Sequence, residues 1–471
     1  MTEPAAPPAD HQTALDYHEA LAALSARGRY GIRLGLGRTR ALLRELGDPQ
    51  LAVRGALVAG TNGKGSVLAL AGSALRAAGL RVGETPKPHL VTYRERIAID
   101  GRPIGADDLT RHVEAVLSVA DRVARRHGDP TEFELLTAVV FRHFAEVGLD
   151  VALVEVGLGG RLDATHTWDG GVAVVTNVDL DHMDRLGPTV AAIAREKAAI
   201  IERGDLAVTG ASGEALAIIG RRARRMAAPL TVVEPATLIG WDRDGIDVEL
   251  PGLGSTRVSL RGRHQAANVA VADALLDALS EARIASVDAE ARRRGYATTV
   301  WPGRLELLDL GEGRDVLLDG AHNPAGAAAL AQALDDLRPH LAAGPLTLVV
   351  ASMADKDVDG VVSALGAAAS LRDATVIATS VDAPRAMSAA DLAERWRRAA
   401  GHVTVTEISD PLEAVDVALA GRGTTVVAGS LYLVGAVRAH LVDDPELRDP
   451  EPFDPDPDPD PRAAVREAPI R

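Results

Sequence analysis

The chain has 471 residues, 47% of them apolar and 3% aromatic, enough for two domains whose cores are built from Ala, Val and Leu. Lys and Arg number 51 against 66 Asp and Glu, and the net charge of −15 argues against non-specific nucleic-acid binding and against anionic membranes. With no cysteine, disulfides, thiolate metal sites and a cysteine nucleophile are excluded.

In chain order, residues 1–14 read as a disordered lead without the basic and apolar regions of a signal peptide. No apolar run reaches membrane-spanning length, so a cytoplasmic protein is expected. Leu15 to Leu46 is largely helical, broken by "GRYGIRLGLGR". A strand "GALVAG" feeds the turn "GTNGKGS", and a helix follows to about Ala78. A second strand carries "RVGETPKPHL", and helices fill about 106–146. The runs "DVALVEVG" and "GVAVVTNV" have the length and valine content of buried parallel strands. Further helices and short strands, "TRVSLRGRH" among them, lead to a helix from about Gln265 to Leu279.

The periodicity breaks near "YATTVWPG", which sets a domain boundary near 299. From there to about 440, strands "DVLLDG", "LTLVVAS", "ATVIATS", "HVTVTE" and "TTVVAGS" alternate with helices, the pattern of a doubly wound parallel sheet. Residues 441–471 hold ten acids and four bases in repeated Asp-Pro, and read as a disordered, solvated tail.

The turn Gly60-Thr61-Asn62-Gly63-Lys64-Gly65-Ser66, between a strand and a helix N-terminus, points backbone N–H groups and the helix dipole at one spot. Lys64 supplies a full charge to outer phosphates, and the Ser66 hydroxyl can bind Mg²⁺. The fit to the common nucleotide loop is imperfect, because Val58 and Gly65 stand where Gly and Ser/Thr are expected; an ordinary βα turn is the plain alternative. Glu155, near a strand's carboxyl end, is placed to hold the Mg²⁺ of ATP or to serve as a buried structural acid. His182 leaves the next strand among Asp179, Asp181 and Asp184, a candidate metal cluster. Lys197 can join a metal site only as an anion such as a carbamate.

Taken with "PHL", "ERI", "TEFELLTA", "EVGLGGRLDAT", "EKA", "GRHQAAN", "WPGRLE", "DGAHNP" and "GSLYLVG" in order, the chain over about 15–438 resembles the folylpolyglutamate synthase/dihydrofolate synthase group of the Mur ligase superfamily. The resemblance implies a P-loop ATPase domain of Mur ligase type (15–298), a Rossmann-like glutamate ligase domain (299–440), and ATP-dependent amide formation between L-glutamate and a pteroate or folate. It implies one Mg²⁺ on Ser66 and Glu155, and a second on Glu155 and His182 with carbamylated Lys197. Asn268 then contacts ATP, Arg304 reaches the phosphates, Asp319 holds the ribose and His322 lies beside the nucleotide. Thr131, Phe133, Glu134 and Arg161, Leu162, Asp163 and Ala164 match segments that meet the pterin-bearing substrate, as do Lys87 and His89 in "KPHL".

Two departures stand out. The group has Ser where this chain has Lys87, and an ammonium cannot ligate Mg²⁺; it can neutralise phosphate directly. His166 replaces an asparagine beside the expected pteroate contacts. A related ligase for another carboxylate and a non-catalytic nucleotide-binding regulator therefore remain as alternatives. A monomer is the default state.

Overall fold

The structure is a computed structural model that describes residues 15–27 and 35–451. The expected lead at 1–14, part of the glycine-rich break (28–34) and most of the Asp-Pro tail (452–471) lie outside the described residues.

The N-terminal sheet contains β1 (Gly55–Ala59), β2 (Val82–Thr85), β3 (Ala98–Ile99), β4 (Arg102–Pro103), β5 (Val151–Glu155), β6 (Gly171–Val175), β7 (Leu206–Thr209) and β8 (Leu230–Val232). Their spatial order is β4-β3-β2-β5-β1-β6-β7-β8. β2, β5, β1, β6, β7 and β8 run parallel, with Leu57 beside Val154 and Ala173. Alternate residues face different cores: Leu57, Ala59, Val154 and Val175 pack on one side, Ala56, Val58, Leu153 and Val174 on the other. The central strands β5, β1 and β6 are covered on both faces, which is why they read as unbroken apolar runs.

The β3–β4 hairpin extends this sheet antiparallel to β2, a feature absent from the sequence reading. A second addition is a three-stranded antiparallel sheet of β9 (Thr237–Asp242), β10 (Gly245–Leu250) and β11 (Gly254–Val258). Its inner residues Ile246, Val248 and Val258 join the core under the Gln265–Glu281 helix.

The C-terminal sheet has β12 (Glu306–Asp309), β13 (Arg314–Leu318), β14 (Leu346–Val350), β15 (Thr375–Ala378), β16 (Thr404–Glu407) and β17 (Gly423–Ala428), ordered β12-β13-β17-β14-β15-β16. The five predicted strands are parallel; β13, β17, β14 and β15 are covered on both faces, and the edge strand β16 is largely exposed. The purely parallel expectation is corrected at one edge, where β12 from "RLELLD" pairs antiparallel with β13. Being half-buried, β12 lacks the continuous apolar signature that marks the others.

The disordered-tail expectation is corrected for its first residues. After the Leu431–Leu441 helix the chain makes a turn at Pro445–Leu447 and docks Asp449 against Tyr17, Thr92 and Arg94. Three donors on one carboxylate outweigh the extended bias of the Asp-Pro sequence.

Candidate functional site

Strand order assembles the site. Because β2, β5, β1 and β6 are neighbours, the loops after them emerge side by side at the carboxyl ends of the sheet. Lys87 and His182 stand in two of these loops, Lys64 opens the helix after the β1 loop, and Glu155 is the last residue of β5. The loops open into a cavity of about 1000 Å³ whose far wall is the C-terminal half.

The turn after β1 wraps into the Lys64–Ala77 helix, with Gly63 as its N-cap at φ 81°. A Cβ at Gly63 would lie 2.3 Å from the Asn268 amide oxygen, so the loop and the Gln265–Glu281 helix are in contact only because the position is glycine. At Gly65 a Cβ would meet the Trp301 ring at 2.5 Å. Thr61, Asn62, Gly63, Lys64, Gly65 and Ser66 all line the cavity, as does Asn268. The Lys64 ammonium donates to the Gly60 and Thr61 carbonyls at 3.1 and 3.3 Å and lies 3.8 Å from Glu155 Oε1.

Glu155 is 3% exposed. Burial pushes its carboxyl upward, and the nearby Lys64 and Lys87 charges oppose that. Its Oε2 accepts the Lys87 N–H at 3.0 Å, while the Lys87 ammonium donates to the Glu155 carbonyl and, at 3.1 Å, to Thr85 Oγ1. The same ammonium stands 5.2 Å from the Phe133 ring centroid. Burial pushes it down to about 8, against the pull of Asp163 and Glu155.

A small cavity of about 30 Å³, room for a water or an ion, lies behind the loop. Gly60, Lys64, Asp181, His182 and Lys197 line it. Lys197 is buried and donates to the Gly60 carbonyl at 2.7 Å; burial, then Lys64, lower it to about 7. His182 sits at φ 49° with Nε2 3.7 Å from Asp181, and burial lowers its ring. The predicted acidic cluster is divided: Asp181 faces both cavities, whereas Asp184 pairs with Arg185 on the surface. Among the described residues, no group of three or more His, Cys, Asp or Glu side chains is arranged to hold a metal. The donors on offer, the Ser66 hydroxyl and the Glu155 carboxylate with His182 nearby, are hard enough for a magnesium ion that keeps phosphate and water ligands.

From the C-terminal half come Arg304, Asp319 and His322. Asp319 accepts the Leu305 and Ala321 N–H groups at 2.9 Å each and thereby braces the turn that presents Arg304. Burial lowers the Arg304 guanidinium, opposed by Asp319 and Glu155. His322 Nδ1 lies 2.8 Å from the Gly320 carbonyl, which assigns the proton to that nitrogen; burial brings the ring down to about 4, so it is neutral.

Elsewhere along the cavity wall, Thr131 and Glu134 form a capping box for the Glu132–Val147 helix. Asp163 takes N–H groups from Leu158 and Thr165, shaping the loop beside Phe133, Leu162 and Ala164. Two expected contacts do not reach the cavity. Arg161 is surface-exposed and paired with Glu196 at 2.8 Å, and His89 is turned to Arg96 Nε at 2.8 Å. His166 is likewise engaged elsewhere, with Glu202 at 3.1 Å and the Arg161 carbonyl at 3.2 Å, so it gives no ground for a changed acceptor. Residues missed by the sequence reading include Arg96, Trp301, Asn323 and Lys356. Asn323 reaches across the cleft to the Asn62 side chain at 3.3 Å, and Lys356 lies 3.7 Å from Asp181. Asn323 and Trp301 stood inside "DGAHNP" and "WPGRLE"; nothing local marked Lys356.

The chain matches the Mur ligase middle domain over residues 58–276 and the Mur ligase glutamate ligase domain over 303–431. It is 34% identical over 439 residues to a dihydrofolate synthase/folylpolyglutamate synthase of Bacillus subtilis, covering 90% of this chain and 99% of that protein. The folylpolyglutamate synthase of Mycobacterium tuberculosis complexed with ADP and AMPPCP superposes with a TM-score of 0.81 at 32% identity, covering 91% of this chain and all of that one. A bifunctional folylpolyglutamate synthase/dihydrofolate synthase from Yersinia pestis, complexed with AMPPNP and a manganese ion, gives 0.76 at 31% identity, covering 91% and 99%.

Proposed function

The chain belongs to the folylpolyglutamate synthase/dihydrofolate synthase family of Mur ligases, and from that premise we propose how its own residues perform the family's reaction. The reaction is the ATP-dependent joining of L-glutamate to a pteroate or folate carboxylate. The observation that carries the assignment to this cleft is the convergence of Lys64, Glu155 and Arg304 on one cavity from two sheets.

A carboxylate repels an incoming amine and must be activated. Its oxygen attacks the γ-phosphorus, the bond to the β-bridging oxygen breaks, and an acyl phosphate and ADP result. The α-amine of glutamate then attacks the acyl carbon, loses a proton, and phosphate departs with the electron pair of the C–O bond. Phosphoryl transfer of this kind needs positioning and charge neutralisation more than covalent help.

The backbone N–H groups at the helix start, 63–66, cradle the phosphates, Lys64 swings from the Gly60 carbonyl to the transferred group, and Arg304 meets it from the opposite wall. Asn268 and Asp319 hold the nucleoside, with His322 beside it. Ser66 and Glu155 would hold one Mg²⁺; Glu155, His182 and a carbamate on Lys197 would hold a second. A divalent ion there supplies Lewis-acid neutralisation of the phosphate oxygens. The near-neutral Lys197 amine supports the carbamate, since only the unprotonated amine attacks CO₂. Lys87 provides a further fixed cation where the acceptor carboxylate meets the γ-phosphate, beside Phe133, Thr131, Glu134, Leu162, Asp163 and Ala164. Arg161 and His89 act indirectly, outside the cavity. Closure of the two halves excludes the water that would hydrolyse the acyl phosphate. The working state is a cytoplasmic monomer.

The test is phosphate release from ATP with glutamate plus dihydropteroate, and separately with glutamate plus tetrahydrofolate. Release that requires both glutamate and one of these acceptors is expected. Release with neither acceptor overturns the assignment.

A further inference from the structure

The segment after the Leu431–Leu441 helix lies beyond the matched ligase domain and leaves the C-terminal half altogether. It ends against the N-terminal half, where Asp449 Oδ1 accepts from Tyr17 Oη at 2.8 Å, Thr92 Oγ1 at 2.6 Å and Arg94 Nε at 3.2 Å. The remaining Arg94 donors go to the Glu446 and Arg448 carbonyls at 2.8 Å each and to the Ile104 carbonyl at 3.2 Å. His18 Nε2 lies 2.7 Å from the Pro450 carbonyl. Arg94 is 7% exposed, so its charge is out of water and relies on these few partners.

What Arg94 and Thr92 belong to gives the contact its meaning. They sit in the short turn Tyr93–Arg96, capped reciprocally by Thr92 and Glu95. The Glu95 carboxylate gathers the N–H groups of Leu90, Val91 and Thr92 at 2.7–3.0 Å. Leu90 packs beneath the C-terminal half, where a Cβ on Gly435 would lie 1.9 Å from the Leu90 carbonyl oxygen. Upstream in the same loop are Lys87 and His89, and Arg96 both holds His89 and lines the cavity. Arg96 is further fixed over the Tyr93 ring at 4.7 Å, and Tyr93 donates to Glu132 at 3.0 Å.

We propose that Asp449 is a positioning residue of the acceptor site: the C-terminal segment clamps the 87–96 loop, through Thr92 and Arg94, into the geometry that presents Lys87 and Arg96 to the acceptor. The proposal rests on the functional reading above for the identity of the acceptor. Its mechanical part does not, because the clamp is a set of hydrogen bonds that can be broken without substrate.

The experiment compares wild type, Asp449→Ala, Asp449→Asn and Tyr17→Phe in the full chain. Hydrogen exchange at amides 90–92 reads the clamp, and KM for dihydropteroate or tetrahydrofolate, with kcat and ATP affinity alongside, reads the site. In Asp449→Ala the three amides exchange faster and the acceptor KM rises about tenfold, with kcat and ATP affinity within about twofold. Asp449→Asn keeps an oxygen for the two hydroxyls but loses the charge facing Arg94, and falls between; Tyr17→Phe shows the smallest change. Should Asp449→Ala fail to fold, the order of the two milder variants decides. Unchanged exchange at 90–92 overturns the clamp. Faster exchange with an unchanged acceptor KM, or with equal losses in kcat and ATP affinity, overturns the positioning role. A wild type without glutamate ligation overturns the functional reading instead, and the exchange data still judge the clamp.

Discussion

At the carboxyl ends of the N-terminal sheet stand Lys64, Lys87, Glu155 and Lys197, ionisable groups that are buried or nearly so within a few ångströms of one another. At the same ends of the C-terminal sheet stand Ser352, Thr379 and Ser430, equally buried and uncharged. Charge from that half enters away from these strand ends or singly, through Arg304 with Asp319, through Arg385 and through Lys356 beside Asp181. The central strands of both sheets are parallel, covered on both faces and rich in valine, so the contrast lies in what the rims hold. Buried charges without full pairing cost stability and persist where a charged ligand completes them. Under the proposed function the N-terminal rim handles the triphosphate, and the C-terminal half closes over it with Arg304, Arg385 and Lys356.

The contrast is broken most sharply at the N-terminal rim. Lys64→Ala and Glu155→Gln are each expected to lower ATP-dependent phosphate release by about 10³-fold, with circular dichroism unchanged. Turnover near wild type in either would remove the rim from the chemistry. Arg304→Met, on the lid, is expected to cost about 10²-fold in kcat, with ATP affinity less affected, because its contact belongs to the closed cleft.

Away from both rims, His112 and His143 form a fully enclosed pair, ring nitrogens 3.1 Å apart, with Arg142 Nε donating to His112 Nδ1 at 3.1 Å. Burial lowers both, His112 to about 4. An unfolded histidine titrates near about 6.5, so between about pH 6.5 and 4 the unfolded chain binds more protons at His112, and stability is lost as pH falls; the lowered His143 acts in the same direction. Ring-proton NMR should show His112 neutral at pH 5.5, with Tm already falling; a ring that titrates near 6.5 contradicts this. The smallest effects belong to Arg161→Ala and His166→Asn. Both side chains are tied to surface carboxylates outside the cavity, and less than about twofold change in acceptor KM is expected.

The strands around the site were legible because full burial leaves runs such as "GALVA" and "VALVE" with no polar interruption. The strands that escaped are those with one wet face: β9 and β12 are half-buried, and β3 and β4 have two residues each. Within the site, residues confined to one turn, from Gly60 to Ser66, announce themselves by spacing. Glu155, His182 and Arg304 needed several stretches read together. Lys356 and Asp449 could not be found this way, since their partners Asp181 and Arg94 are distant in sequence and each looks like an ordinary surface charge. Arg161 shows the converse: a residue beside true cavity residues in sequence can point out of the site, because a turn sends neighbouring side chains in opposite directions.

The central claim is that this cleft passes the γ-phosphoryl group to an acid before glutamate attacks. The most direct test supplies an acceptor whose terminal carboxylate carries ¹⁸O, with ATP, glutamate and Mg²⁺, and examines the released phosphate by mass spectrometry. Transfer of a carboxylate oxygen into inorganic phosphate, dependent on Lys64 and stoichiometric with the new amide, is the predicted result. Amide formed with unlabelled phosphate would contradict the account.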